Sequence, residues 1–132
     1  MSTLKVNTIQ DSGGSNGVTP GQLNSGLIRA WINFQGTSTV SIRDSFNISS
    51  ISDEGTGHYY INFSTSFANN DYAMTGTATE DFYGSGSRGE VVVAGDRTDH
   101  TTGQCRIFSQ TTNGSATPRD CIKIEMHFIG DV

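Results

Sequence analysis

Residues 29–63 read Arg29-Ala30-Trp31-Ile32-Asn33-Phe34-Gln35-Gly36-Thr37-Ser38-Thr39-Val40-Ser41-Ile42-Arg43-Asp44-Ser45-Phe46-Asn47-Ile48-Ser49-Ser50-Ile51-Ser52-Asp53-Glu54-Gly55-Thr56-Gly57-His58-Tyr59-Tyr60-Ile61-Asn62-Phe63. Apolar residues alternate through the stretch: Ile28, Ala30, Ile32 and Phe34, then Val40 and Ile42, then Phe46 and Ile48, then Tyr59, Ile61 and Phe63. A period of two marks half-buried strands. The apolar register changes between Ile48 and Ile51, which predicts a bulge or a break. Asp53-Glu54-Gly55-Thr56-Gly57 has the residue types of a turn.

The pattern continues outward from this stretch. Tyr72–Thr79 alternates through Tyr72, Met74, Gly76 and Ala78, after a loop at Phe67–Asp71. Glu90–Ala94 is a short valine run, Gln104–Gln110 a strand of mixed polarity, and Thr111–Pro118 a loop. Cys121–Ile129 sets Ile122, Ile124, Met126 and Phe128 against Lys123, Glu125 and His127. About eight strands at this spacing, with no long helical period, predict an all-β fold: an antiparallel β-sandwich. Strict alternation puts Trp31, the one tryptophan, on the face opposite Ile28, Ala30, Ile32 and Phe34. There it is either covered by a second layer or a neighbouring subunit, or exposed as a platform for a sugar.

Upstream, Leu4, Val6 and Ile9 lie in a short alternating run, and residues 11–26 have the Gly and Ser content of a connector. Residues 1–26 therefore read as an extended N-terminal attachment arm with its linker, and 27–132 as the sandwich domain. With 132 residues, one domain buries enough surface to fold without a metal or a disulfide. Cys105 and Cys121, the two cysteines, are expected as free thiols, and nothing in their spacing settles whether they pair. The formal net charge of −5 excludes the basic face that nucleic acid requires. It also disfavours anionic membrane, and no apolar run reaches spanning length.

Chemistry is sparse. Gly84-Ser85-Gly86-Ser87-Arg88-Gly89 matches a dinucleotide-binding pattern by letter but leads into the valine strand, where that pattern needs a helix. His58, His100 and His127 are not at metal-ligand spacing. Asp53 with Glu54, and Glu80 with Asp81, are sequence neighbours that point apart, unlike the facing carboxylates of a glycosidase. The expectation is a non-enzymatic protein with no metal and no cofactor. Candidate ligand or receptor contacts are the aromatic and charged loop residues Phe82, Tyr83, Arg88, Arg97 and His100.

Two segments resemble bacteriophage tail fibres and related virion proteins, especially those of cyanobacterial and marine phages. One is Ser2-Thr3-Leu4-Lys5-Val6-Asn7-Thr8-Ile9-Gln10 with its Gly-rich spacer. The other is Arg29–Phe34 with Gly36, then Ile42–Ile51, Gly55, Gly57 and Tyr60–Phe63. The matches cover about half the chain, and Tyr72-Ala73-Met74 and the later strands fit more loosely. The resemblance implies a virion component made in the host cytoplasm and placed at the tail. It implies a homotrimer docked to other tail or baseplate proteins through the arm, with Leu4, Val6 and Ile9 in that attachment. It also implies a β-domain facing a host-surface glycan or protein through loops 81–90, 95–103 and 110–119. The family's long shaft is missing here, so the chain reads as a short fibre or tip component. The alternatives are a non-enzymatic carbohydrate-binding module using Trp31 or Tyr83, and a structural decoration or adaptor protein of the particle.

Overall fold

The computed structural model describes residues 2–10, 12–14, 17–80, 91–95, 99–111 and 116–132, with the backbone alone at 25 and 91–94. The chain is an antiparallel β-sandwich. Its strands are β1 (Ile28–Gln35), β2 (Ser41–Phe46), β3 (Ile48–Asp53), β4 (His58–Phe63), β5 (Ala73–Thr79), β6 (Val91–Gly95), β7 (Gln104–Thr111), the two-residue β8 (Thr117–Pro118) and β9 (Lys123–Ile129). The first sheet has the order β2-β1-β9-β5; the second has the order β3-β4-β7-β6, with β8 added to β7.

Alternation places the core. Ala30, Ile32 and Phe34 of β1 and Ile124, Met126 and Phe128 of β9 face Tyr59, Ile61 and Phe63 of β4 and Cys105 and Ile107 of β7, all buried. Edge-to-face ring pairs join the layers: Phe34 with Tyr59 at 5.0 Å and Phe63 with Phe128 at 5.1 Å. Such contacts add to simple area burial. The sheets also approach at β5 and β6, where a Cβ at Gly95 would collide with Met74 Cε.

The predicted irregularity is the register shift between Ile48 and Ser50 where β3 pairs with β4, and the chain also turns just before it, at Asn47. This residue takes φ 56° and carries the chain from the first sheet into the second. Asparagine tolerates the left-handed region better than other residues with a side chain. Its amide is fully used here: Nδ2 donates to the Arg29 and Thr65 carbonyls at 3.1 Å each, and Oδ1 accepts from Thr65 N–H at 2.7 Å. The register shift where β2 pairs with β1, opposite Asn33 and Phe34, corrects one part of the sequence reading. Ile42 and Phe46 belong to an edge strand and are exposed, although they continue the apolar alternation, and Ile28, beyond the register shift at the start of β1, is exposed as well; Val40 and Ile48 do pack on the core. A second difference lies upstream. The segment read as connector contains a short helix, α1 (Pro20–Ser25). Thr19 and Gln22 form a reciprocal capping box, and Pro20 occupies the first turn, where its missing N–H costs nothing.

Both cysteines are free and buried. Cys105, opposite Ile61, and Cys121, beside Arg119, lie toward opposite ends of the sandwich. Burial pushes the Cys105 thiol up to about 12.

Candidate functional site

Register divides the sandwich into two ends. Ile28 pairs with Ile129, Ala73 with Ile129, and Asn62 with Gln104. The end where the chain enters β1 therefore also carries Asn47, residues 64–72, 99–103 and 130–132. The far end carries 36–40, the 54–57 turn, Glu80, Val91, Thr111 and 119–122. The candidate contacts consequently divide between the ends. Phe82, Tyr83, Arg88 and Arg97 lie outside the described residues. The residues on either side of 81–90 and 112–115 are at the far end, whereas His100 is at the arm end.

His100 is held by stacking. Its ring lies 4.0 Å from that of Tyr72 at 26°, and Tyr72 lies 4.3 Å from Phe67 at 25°. The turn that carries it is pinned by backbone and hydroxyl bonds. Tyr72 OH donates to the Thr101 carbonyl at 3.0 Å, Phe67 N–H to the Thr102 carbonyl at 2.9 Å, and Phe63 N–H to the Gly103 carbonyl at 2.9 Å. Its neighbour Asp99 accepts from Tyr60 OH at 2.6 Å and lies 3.7 Å from Arg106. The hydrogen bond to Asp99, first, raises the Tyr60 phenol. Arg106 also lies over the Tyr60 ring at 5.8 Å. Asp99 thus anchors the turn to the second sheet. Among the described residues no group of three His, Cys, Asp or Glu could hold a metal ion.

Desolvation lowers the His100 imidazole, opposed by Asp71. The unfolded chain takes up a proton below about pH 6.5, and the folded chain only at lower pH. The stability contributed by the neutral ring is therefore complete above the unfolded value. It is lost as the pH falls from there through the folded value. We expect His100→Phe, which keeps a stacked ring and removes the titration, to flatten the fall in melting temperature between about pH 7 and pH 5. Equal slopes for both proteins would show that His100 is not the titrating group.

The outer faces of the sheets are different surfaces. On the second, Tyr60, His58, Arg106 and Phe108 interlock, with His58 and Phe108 stacked at 6.0 Å. On the first, Trp31 is half-buried and stands between Phe46 of β2 and His127 of β9, with Thr75 beyond. The adjacent row is Asp44, Asn33, Glu125 and Thr77. Asn33 Nδ2 donates to Glu125 Oε1 at 3.3 Å, and Lys123 Nζ sits 2.9 Å from the same oxygen. Lys123, first, holds the Glu125 carboxyl below the usual carboxylate range. Asn33 Oδ1 is shielded from solvent and has no donor. Period-two alternation locates Trp31, Glu125 and His127 on outer positions. It could not bring β2 and β9 to opposite sides of β1, so the joint surface was not visible in the sequence.

The arm end carries a second surface. Leu4 is 86% exposed, and Val6, Ile9, Leu23 and Leu27 are also exposed. These residues, with Pro20 of α1 and the polar Lys5, Asn7 and Asn24, line an open concavity of about 430 Å³. The arm doubles back at an isolated bridge between Ile9 and Val18, with both N–H···O distances 2.8 Å.

No protein-family model matches the chain, and no curated protein or solved structure matches it. Among the described residues no helix is long and apolar enough to cross a membrane.

Proposed function

We propose that the chain is a virion adhesion protein: a short tail-fibre or tip component of a bacteriophage, acting as a homotrimer without enzymatic chemistry. In this reading residues 1–26 dock onto other tail or baseplate proteins, and the sandwich meets a glycan or protein of the host surface. The observation that carries it is the exposed apolar lining of the arm, Leu4, Val6, Ile9, Leu23 and Leu27, set apart from a sandwich core that begins at Ala30. A contiguous apolar patch of this kind is costly in water and marks an interaction surface. Supporting it are the resemblance of residues 2–10 and 29–63 to tail-fibre sequences and the separation of the arm from the far end. Three weak contacts presented by one trimer gain strength from effective concentration.

Among the described residues, deleting 1–26 removes none of the buried core. We expect the shortened chain to keep its β circular-dichroism spectrum and melting transition, yet to be absent from purified particles. Incorporation at the level of the full chain would refute the attachment role. Sedimentation of the full chain at micromolar concentration checks the oligomer, for which a stable monomer is the adverse result.

A further inference from the structure

We propose that the outer face of the first sheet binds a neutral glycan, with Trp31 and Phe46 as its apolar platform and Asn33 and Glu125 as its polar contacts. This deepens the adhesion reading and rests on it: it supplies a ligand class and a location away from the loops. The register carries the inference. Direct partners in an antiparallel ladder point to the same side, so Phe46, Trp31, His127 and Thr75 form one row across the sheet. Asp44, Asn33, Glu125 and Thr77 form the next. Successive rows on one face are about 7 Å apart, close enough for a ring resting on the aromatic row to turn its hydroxyls to the polar row.

The residue chemistry fits a polyol. Phe46 is 55% exposed, a large aromatic ring beside a half-buried tryptophan. The C–H face of a sugar ring is the apolar surface that such rings take. Glu125 is fixed between Lys123 and Asn33, and Thr77 Oγ1 lies 3.5 Å from its other oxygen. Asn33 Oδ1 is itself shielded from solvent, so the polar groups that this row offers to sugar hydroxyls are Asn33 Nδ2, the Glu125 carboxylate and Thr77 Oγ1.

Charge selects among occupants. The face carries the carboxylates of Asp44 and Glu125. Its cations are engaged: Lys123 with Glu125, Arg43 with Gln35 Oε1 at 3.2 Å and the Ile122 carbonyl at 2.7 Å, and Arg29, near Phe46, with the Asn24 carbonyl at 3.0 Å. A nucleic acid, a phosphorylated lipid or an anionic sugar would meet the Asp44 carboxylate and cations already engaged by protein groups. A second copy stacked on this face would set carboxylate against carboxylate. A neutral ligand rich in hydroxyl donors meets neither penalty.

Trp31 is the only tryptophan, so intrinsic emission reports from the proposed site alone. The full chain is titrated with cellohexaose, maltohexaose and mannohexaose, and with a sialylated oligosaccharide as the anionic arm. We expect at least one neutral hexaose to move the emission saturably at millimolar concentration and the sialylated sugar to leave it unchanged. Phe46→Ala and Glu125→Gln, both at outer positions that leave the core intact, are each expected to weaken binding about tenfold or more with melting unaltered. An emission that responds to protein concentration and to no sugar makes the face a contact between copies and overturns the proposal. So does saturable binding by calorimetry that neither variant weakens, because the sugar then lies elsewhere. Labelling of intact particles separates the two readings. A chain found at the tail that binds none of the neutral sugars sinks the glycan inference alone; a chain that binds sugar but is absent from particles sinks the virion reading alone.

Discussion

Gly57→Ala is expected to be among the most destabilising single substitutions in the sandwich. Gly57 has φ +71°, and a Cβ there would lie 2.5 Å from the Ser109 carbonyl oxygen and 2.7 Å from Arg119 N. Both are backbone atoms, in β7 and in the segment leading to β9, and neither can swing aside. Gly57 N–H donates to Asp120 Oδ1 at 2.7 Å, and Gly57 O accepts from Ser109 N–H at 2.8 Å. Arg119 N–H in turn donates to the Ser109 carbonyl at 2.9 Å. Tyr59, fully buried, donates its hydroxyl to the same Asp120 oxygen at 3.0 Å. Moving Gly57 to make room therefore pulls on three segments and on a buried phenol. The left-handed conformation alone costs an alanine about 1–2 kcal/mol. With the collision, the total should exceed about 3 kcal/mol, against a whole-domain stability of about 5–15 kcal/mol. Gly55 supplies the control. It lies in the same turn with φ +111°, and a Cβ there would meet nothing within 4 Å. Denaturant unfolding should show Gly55→Ala losing only the conformational part. Equal losses at the two positions would mean that the backbone contacts at Gly57 are not what holds the turn.

The second large effect is expected at Phe128. Its ring is fully buried and meets Phe63 at 5.1 Å and Tyr72 at 6.1 Å. Through Phe67, Tyr72 and His100 this aromatic group extends to the arm end of the sandwich. Truncation to alanine removes the transfer energy of the ring and leaves a cavity between two sheets that cannot both close onto it. We expect Phe128→Ala to cost about 3–5 kcal/mol. Phe46→Ala, on the outer face, should cost well under about 1 kcal/mol. Calorimetric melting of both variants tests the contrast. A Phe128→Ala loss as small as that of Phe46→Ala would mean that the two layers are not packed through this ring.

These two residues also show how far the fold was legible. Phe128 closes an unbroken alternation, and strict period two identifies β1, β4 and β9 because each is paired on both sides and covered on one face. Phe46 continues the same alternation yet is exposed, since the register shift opposite Asn33 and Phe34 puts it opposite Trp31 on the outer face. The helical residues at Pro20–Ser25 carry no apolar period that a sequence could show; the Thr19–Gln22 cap forms them locally. The role of Gly57 depends on Asp120, 63 residues away in sequence, and pairing at that distance leaves no mark on either neighbourhood. For the candidate sites, residue type marked His100 as a loop histidine but not its stack on Tyr72. The row that joins Asp44, Asn33 and Glu125 exists only once three strands are in register.

β1 is flanked by β2 on one side and β9 on the other, and the arm leads directly into it. If that arm is the tether, tension enters the domain along the axis of β1. The hydrogen bonds of both ladders lie across that axis. Tension then loads the two rows of bonds together in shear, instead of peeling them open one rung at a time. The strand that takes the load is also the strand that carries Trp31, so the proposed grip and the tether share one continuous backbone.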